Sequence, residues 1–266
     1  MLEVNNITNQ LKKNGSIKVE KFIDQNEVDV LKKIVLDVNK DFHHPDTYFS
    51  TNLKSLSTKL LKFQFKKLFD SLKLIELSKK KQLNLISRGV YEKKEKLHMI
   101  DGYVAKKSQK NIIDWHCDAP YKDEINSHNR HDNRSLKFFI YLTDVDKDNG
   151  CLAYIPRSHK VVYKVKKMIY EKKIAQGRFQ FLNECRDFIL QPENYNIILR
   201  EFGNDSEIKE FLDQTKFICE DREDTNEFDY SLKAGDALIF DENGFHRGGK
   251  PKFNDRVVLR YHYGIH

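Results

Sequence analysis

The sequence predicts a mainly β (α+β) fold: an antiparallel barrel or jelly roll with helices packed on one outer face and a helical insertion. Three features point there. Beyond residue 82, short runs rich in β-branched and aromatic residues alternate with polar turns, the texture of an antiparallel β domain. Two stretches of helical periodicity precede that region. A Lys-rich excursion of helical texture then interrupts the strands before they resume near the C-terminus.

With 266 residues, 39% of them hydrophobic and 12% aromatic, the chain can bury a sizeable core. No Pro-rich or Gly/Ser-rich linker divides it, so one domain over 1–266 is expected. The net charge of +7 comes mostly from lysines dispersed along the chain. That dispersion argues against a nucleic-acid interface and for a solvated, weakly cationic surface that would help gather small anions. The N-terminal MLEVNNITNQLKKNG has no apolar leader region, and no run approaches 18 apolar residues, so no membrane partner and a cytoplasmic location are expected. The cysteines at 117, 151, 185 and 219 are evenly spaced by 34, but their neighbours share no pattern and no pair has CxxC spacing. Reduced thiols are the expectation.

Taken in order, GSIKVEKFID (15–24) alternates apolar and charged residues as a short strand. Asp24 can cap a following helix, with Glu27 three residues on and Val28, Leu31, Ile34, Val35 and Val38 on one stripe. His43-His44-Pro45 ends it. A second helix is expected from about Ser55 to Ser78, with Leu61, Phe65, Leu68, Phe69, Leu72 and Ile75 as its packed stripe and Lys79–Lys81 as its solvated end. These form a helical support over about 24–80. Strand-like runs follow at 84–91 (NLISRGVY), 98–105, 111–118 and 135–142, and the Asn149-Gly150 turn precedes the strand-like CLAYIP. The β-core thus spans about 84–158 and resumes over about 228–264 with FDYSL, DALIF and RVVLRYHYG. Between them, about 160–228, lies a lid-like insertion of helical runs such as VYKVKKMIYEKKIA and FLNECRDFIL.

The most informative stretch is Asp114-Trp115-His116-Cys117-Asp118. In a strand, His116 and Asp118 project from one face and Cys117 from the other. An imidazole and a carboxylate suit a borderline divalent cation, and a second His would complete the 2-His-1-carboxylate face used by non-haem Fe(II) oxygenases. His44-Pro45-Asp46 has the same spacing, but its proline and its lack of strand texture make it a turn, with Asp46 capping or facing solvent. The C-terminal AGDALIFDENGFHRGGKPKFNDRVVLRYHYG offers His246 after an apolar strand and an Asn-Gly turn. It also offers Arg256, opening the next strand, where a guanidinium fork could hold a carboxylate bidentately. Arg256 could instead pair with Asp255, and Arg260 is a rival on the same face.

Other residues have plainer readings. His159 reads as a structural turn residue and Trp115 as core packing beside the metal strand. Tyr103 and Tyr121 either line the pocket or are structural, and His98, His128, His131 and His262 stand in no comparable pattern. The lysines at 164, 166, 167, 172 and 173 could meet an anionic substrate, but a solvated helix face is the simpler account.

Four segments in order, GSIKVEKFIDQNEVDVLKKIV, WHCDAPY, LTDVDKDNGCLAYIPRSHK and GDALIFDENGFHRGG followed by NDR, make the chain resemble the phytanoyl-CoA dioxygenase family of Fe(II)/2-oxoglutarate-dependent oxygenases. They span about half of it. The resemblance implies a double-stranded β-helix, the cupin-like form of jelly roll, in agreement with the strand texture. It implies that His116, Asp118 and His246 are the catalytic iron ligands and that Arg256 meets the distal carboxylate of 2-oxoglutarate. Phe139 falls where the family has a cosubstrate-contacting side chain, and Lys137 shares its face. Two positions depart from the family: Arg157 stands where Gly is common, and Gly248 where a small hydroxyl residue is common. The implied activity is hydroxylation of an unactivated C–H bond of a small-molecule substrate, with 2-oxoglutarate and O2 converted to succinate and CO2. Halogenating relatives need an open site in place of the carboxylate, so Asp118 favours hydroxylation. The rival readings are a non-catalytic relative that binds a metabolite or protein partner, and a zinc hydrolase using the same side chains.

Overall fold

The structure, a computed structural model, describes residues 3–38, 46–50, 65–107, 113–118, 134–175, 177, 179–203, 206–221 and 227–265, and the elements and contacts given are those of these residues. Helix α1 (Val4–Asn14), which the sequence reading passed over, ends on Gly15 at φ 82, whose N–H returns to Leu11 O at 2.8 Å. Strand β1 (Ser16–Val19) follows, then α2 (Gln25–Val38). Its expected capping box is present: Glu27 N donates to Asp24 Oδ1 at 2.8 Å and Asp24 N to Glu27 Oε2 at 3.2 Å. Val28, Leu31, Ile34 and Val35 are buried as the stripe requires. The Val38 side chain and the expected stop at 43–45 lie outside the described residues.

Strand β2 (Asp46–Ser50) pairs with β3 (Lys96–Ala105), so Asp46 belongs to a strand and not to the expected turn. Helix α3 (Phe65–Lys80) departs from the expected stripe at two positions: Ile75 packs against the core as expected, Phe69 and Leu72 do not, and Leu61 and the side chains of Phe65 and Leu68 lie outside the described residues. Leu74 and Leu77 are buried, while Phe69 and Leu72 are 62% and 55% exposed. Tyr261 donates its hydroxyl to Leu74 O at 3.0 Å, and Tyr263 donates to Ser78 Oγ at 3.2 Å. Lys79 and Lys80 are solvated as expected, but Lys81 turns inward, donating to Phe22 O at 2.6 Å and pairing with Glu27 at 3.2 Å. The run 84–91, expected as a strand, is helix α4 (Leu83–Tyr91). Its buried residues Leu83, Ile86, Ser87, Val90 and Tyr91 recur at helical spacing, and packing of that face overrides the β propensity of its valine, isoleucine and tyrosine.

The core strands are β4 (Arg134–Tyr141), β5 (Leu152–Tyr154), β6 (Asp229–Tyr230), β7 (Ala237–Asp241), β8 (His246–Gly248) and β9 (Arg256–Ile265). They form two antiparallel sheets, ordered β1-β7-β4-β9-β3-β2 and β6-β5-β8. Alternation along the large sheet decides what each face does. Leu136, Phe138, Ile140, Leu259, Tyr261 and Tyr263 pack under the N-terminal helices, while Tyr141, Leu238, Phe240 and Val258 meet Leu152 and Tyr154 of the small sheet. This is the jelly roll that the strand texture predicts, with helices on one outer face. The inner face also carries Tyr103, Lys137, Phe139, Arg256 and Arg260, which its strands therefore hold rigidly toward one cavity.

The insertion folds as α5 (Ser158–Tyr170), α6 (Leu182–Leu190), α7 (Pro192–Glu201), α8 (Ser206–Lys216) and a π-helical turn (Phe217–Asp221). Its apolar residues cluster with Trp115, Cys117, Ala153, Ile155 and Phe245, the neighbours of the expected site residues. Its described residues are not among those that line the cavity. Among the described residues, no helix is long and apolar enough to cross a membrane, and none of the four cysteines forms a disulfide.

Candidate active site

Asp114–Asp118 is not the continuous strand the sequence suggests. It is an extended segment clasped on both sides. His116 and His246 exchange both backbone hydrogen bonds at 3.0 Å, Asp118 N donates to Glu242 O at 3.0 Å, and on the other flank Cys117 N reaches Gln180 O and Leu182 N reaches Trp115 O, each at 3.0 Å. The pairing sets the two imidazoles side by side, with ring centroids 4.5 Å apart. Each is oriented by its far nitrogen: His116 Nδ1 lies 2.7 Å from Asp114 O and His246 Nδ1 2.9 Å from Gly244 O. Backbone carbonyls only accept, so both Nδ1 atoms carry a proton and both Nε2 atoms point inward.

Asp118 completes the group. Its Oδ2 is 2.9 Å from His246 Nε2 and its Oδ1 3.6 Å from His116 Nε2, and one potential ligand atom from each residue lies within 4.8 Å of the others. Three donors so close together, two nitrogen and one carboxylate, are a fitting nest for one divalent cation. Burial opposes the charge on Asp118, but the Lys137 ammonium, which bonds its Oδ2, and the two imidazoles hold its carboxyl well below the usual carboxylate range. The expectation placed Lys137 as a cosubstrate contact; its nearest anions are Asp118 and, at 3.9 Å, Glu242. Burial pushes the Glu242 carboxyl up to about 6, the Lys137 charge opposing and the Asp118 charge reinforcing the shift.

His116, Asp118 and His246 line a cavity of about 340 Å³ together with Tyr103, Lys137, Phe139, Gly248, Arg256 and Arg260, so every expected site residue borders one space. The two arginines differ in their partners. Arg260 is spent on Asp101 in a bidentate pair of 2.8 and 2.5 Å. Arg256 donates to Gly150 O at 2.5 Å, and its buried Nε has no hydrogen-bond partner among the described residues. Asp255 is held by Lys106 Nζ at 2.7 Å and Lys107 N at 2.9 Å, not by Arg256. Phe139 stands edge-on to Phe240 with centroids 5.0 Å apart.

The plainer readings mostly hold. Trp115 is buried and edge-on to Phe228. His159 is structural but sits in the first turn of α5, where burial pushes its imidazole down to about 4. Tyr121, His128 and His131 lie outside the described residues. Lys164 lies 4.0 Å from the Phe202 ring centroid and Lys173 pairs with Glu201 at 3.0 Å, surface roles as expected. Lys166 departs from them: it is buried, with its ammonium 2.9 Å from Asn243 Oδ1.

The phytanoyl-CoA dioxygenase (PhyH) family model matches residues 11–252. The chain belongs to the phytanoyl-CoA dioxygenase family. No curated protein matches it. Similar solved structures include the epimerase SnoN in complex with Fe3+, alpha ketoglutarate and nogalamycin RO, at 12% identity and TM-score 0.54 over 98% of this chain and 82% of that one. The non-heme alpha ketoglutarate dependent carbocyclase SnoK from nogalamycin biosynthesis is 13% identical, with TM-score 0.57 over 99% and 84%. HygX from Streptomyces hygroscopicus with nickel and 2-oxoglutarate bound is 14% identical, with TM-score 0.50 over 99% and 86%. At these identities the likeness concerns the fold.

Within the phytanoyl-CoA dioxygenase family, the two departures acquire physical meaning. Arg157, where Gly is common, sits at φ 67 in the left-handed region that favours Gly, and its side chain pairs with Glu210 of α8. Gly248 leaves space beside the arginine: an added Cβ would lie 3.6 and 3.7 Å from the Arg256 guanidinium nitrogens. Sequence reasoning missed Glu242, Asp101 and Lys166. Glu242 is next to the Asn-Gly turn and Asp101 is opposite Arg260 in the β3–β9 register, so a strand alignment would have found Asp101. Lys166 falls on the buried stripe of its helix, four residues after Val162 and three before Ile169, and that spacing is the signal that could have found it.

Proposed function

We propose that this protein is an Fe(II)- and 2-oxoglutarate-dependent dioxygenase that hydroxylates an unactivated C–H bond of a small molecule. The observation that carries the proposal is the convergence, in one cavity, of His116, Asp118 and His246 with an arginine that has spare donors, Arg256. The donor set fits the metal: two neutral imidazoles and one carboxylate leave Fe(II) a net single positive charge, suited to a dianionic keto acid. Family membership and the fold shared with structures solved with Fe3+ and alpha ketoglutarate, or with nickel and 2-oxoglutarate, support the same cofactors here.

In this reading His116 and His246 bind the metal through Nε2, their rings held by the carbonyls of Asp114 and Gly244. Asp118 supplies the anionic ligand, and the Lys137 ammonium keeps it ionised and fixes its orientation. Arg256 takes the distal carboxylate of 2-oxoglutarate. Phe139, Leu152 and Val258 wall the cosubstrate's space with apolar surface and exclude water, and Lys137 borders it. When bound, iron and 2-oxoglutarate supply O2 activation coupled to release of CO2 and succinate. The three protein ligands include a carboxylate, which favours hydroxylation over halogenation. Protein supplied with Fe(II), O2 and 2-oxoglutarate is expected to form succinate, and His246→Ala to fall to background. With 18O2 and the true substrate, one labelled atom in the product marks hydroxylation, whereas an unlabelled epimer or new ring would refute that outcome. A well-folded protein that forms no succinate above the His246→Ala level, with or without substrate, would refute the enzyme class.

A further inference from the structure

Residues 241–245 form the turn that delivers His246, and its backbone touches two of the three metal-site residues: Glu242 O accepts Asp118 N at 3.0 Å, and Gly244 O accepts His246 Nδ1 at 2.9 Å. The turn is held from behind by buried polar groups. Asp241 Oδ1 accepts the backbone N–H and the side-chain amide of Asn243 at 3.0 and 3.1 Å, and Asp241 Oδ2 accepts Arg134 at 2.7 Å. Asn243 Oδ1 accepts Lys166 Nζ at 2.9 Å, and Phe245 N donates to Ser158 Oγ at 2.8 Å. Lys166 and Ser158 both belong to α5, the first helix of the insertion. Lys166, Asp241 and Asn243 are 5%, 1% and 1% exposed.

A lysine this deep is costly. Taking an ammonium out of water is strongly unfavourable unless good partners receive it; here burial pushes the Lys166 ammonium down, and the nearby Glu242 and Asp241 carboxylates favour its charge. The helix around it is lined by Val161, Val162, Val165 and Ile169, where a methionine of similar length would be the cheaper choice. What the ammonium adds is direction. It fixes the side-chain oxygen of the residue at the centre of the ligand-bearing turn, while the amide of that same side chain is tied to Asp241.

We propose that Lys166 is a positioning residue for the metal centre: through Asn243 it fixes the 241–245 turn and thereby the spacing of His246 and Asp118. The insertion is then part of the centre's scaffold. This rests on the reading of His116, Asp118 and His246 as the metal ligands. Outer partners of metal ligands typically change affinity by about 10- to 100-fold when removed.

Lys166→Met and Asn243→Ser break the contact from either side, and Lys167→Met, on the exposed side of the same helix, is the control. Co(II) uptake is followed by its visible spectrum, alongside thermal unfolding of the metal-free proteins. Wild type and Lys167→Met are expected to bind Co(II) with the same affinity and spectrum. Lys166→Met and Asn243→Ser should bind about 10- to 100-fold more weakly, with an altered spectrum, while their metal-free Tm shifts by only a few degrees. Lys166→Arg, which keeps the donor, should recover affinity. Folded Lys166→Met or Asn243→Ser with wild-type affinity and spectrum would overturn the proposal, as would a lowered Tm with unchanged affinity; if one variant fails to fold, the other decides. Wild-type protein that takes up no Co(II) would overturn the metal-centre reading itself, an outcome separate from equal binding by all variants.

Discussion

The two arginines on β9 show how much of a residue's role is decided by what already occupies it. Arg260 and Arg256 share the inner face, yet only Arg256 retains a buried donor without a partner among the described residues, because Asp101 takes both arms of Arg260. Arg256→Leu is therefore expected to raise the KM for 2-oxoglutarate by about 10- to 100-fold, in line with about 1.5–3 kcal/mol for a charged hydrogen-bonded contact, with kcat less affected. A KM unchanged in steady-state assays would contradict that role. Gly248→Ser tests the same corner from the opposite side. Its Cβ meets the guanidinium at ordinary contact distance, so the hydroxyl has room, and the KM for 2-oxoglutarate should fall a few-fold, about 0.5–1 kcal/mol. A rise would show that the space is needed empty. At this scale motif spacing pairs His116 with Asp118, and His246 and Arg256, which the family resemblance adds, border the same cavity. The Lys137–Asp118 pair was not legible in the sequence, since pairing of a lysine depends on what folds over it.

Local signals that close within a few residues were legible at the level of elements, and those set by packing were not. The Asp24/Glu27 capping box was visible because it is complete within four residues. Asp24→Ala should cost about 1 kcal/mol in denaturant unfolding while leaving metal affinity unchanged, since α2 packs under the large sheet and away from the cavity. A larger loss accompanied by weaker metal binding would mean that α2 supports the site. Helix α4 was misread as a strand because its β-branched and aromatic residues outweighed the spacing of Leu83, Ile86, Val90 and Tyr91. Helix α3 was found, but Phe69 and Leu72 of its expected stripe face solvent while Leu74 and Ser78 meet the hydroxyls of Tyr261 and Tyr263. The turn before β8 is the element on which the site depends most. A Cβ at Gly244 would fall 1.9 Å from the Tyr154 hydroxyl, so Gly244→Ala must displace either the ring or the turn. It is expected to destabilise the fold by about 1–3 kcal/mol and to abolish measurable metal binding in the fraction that folds.

Across the whole molecule, the large sheet separates two jobs: one face buries the N-terminal helices, and the other, with the small sheet, holds the cavity. An antiparallel barrel or jelly roll was legible from strand texture, and the family resemblance specified the jelly roll. The insertion's place was not legible, because helical periodicity reveals an apolar face but not what covers it. It packs on Trp115, Cys117 and Phe245, which adjoin the ligand residues. Folding also buries His159 and His262 as neutral imidazoles, each pushed by burial from 6.5 down to about 4. The unfolded chain takes up these protons first, so stability is full above about pH 6.5 and is lost progressively as pH falls toward about 4. The loss should approach about 1.4 kcal/mol per pH unit for each histidine. His159→Gln, compared with wild type by denaturant unfolding from pH 4.5 to 7.5, should flatten this dependence; an unchanged slope would show that His159 is not the source. The central claim, that His116, Asp118 and His246 hold Fe(II) while Arg256 anchors 2-oxoglutarate, is tested most directly by anaerobic titration of the purified protein with Fe(II) and 2-oxoglutarate. A weak visible charge-transfer band that needs both ligands, disappears in His246→Ala and requires more 2-oxoglutarate in Arg256→Leu is the expected result; folded wild-type protein that gives no band at saturating concentrations of both would contradict it.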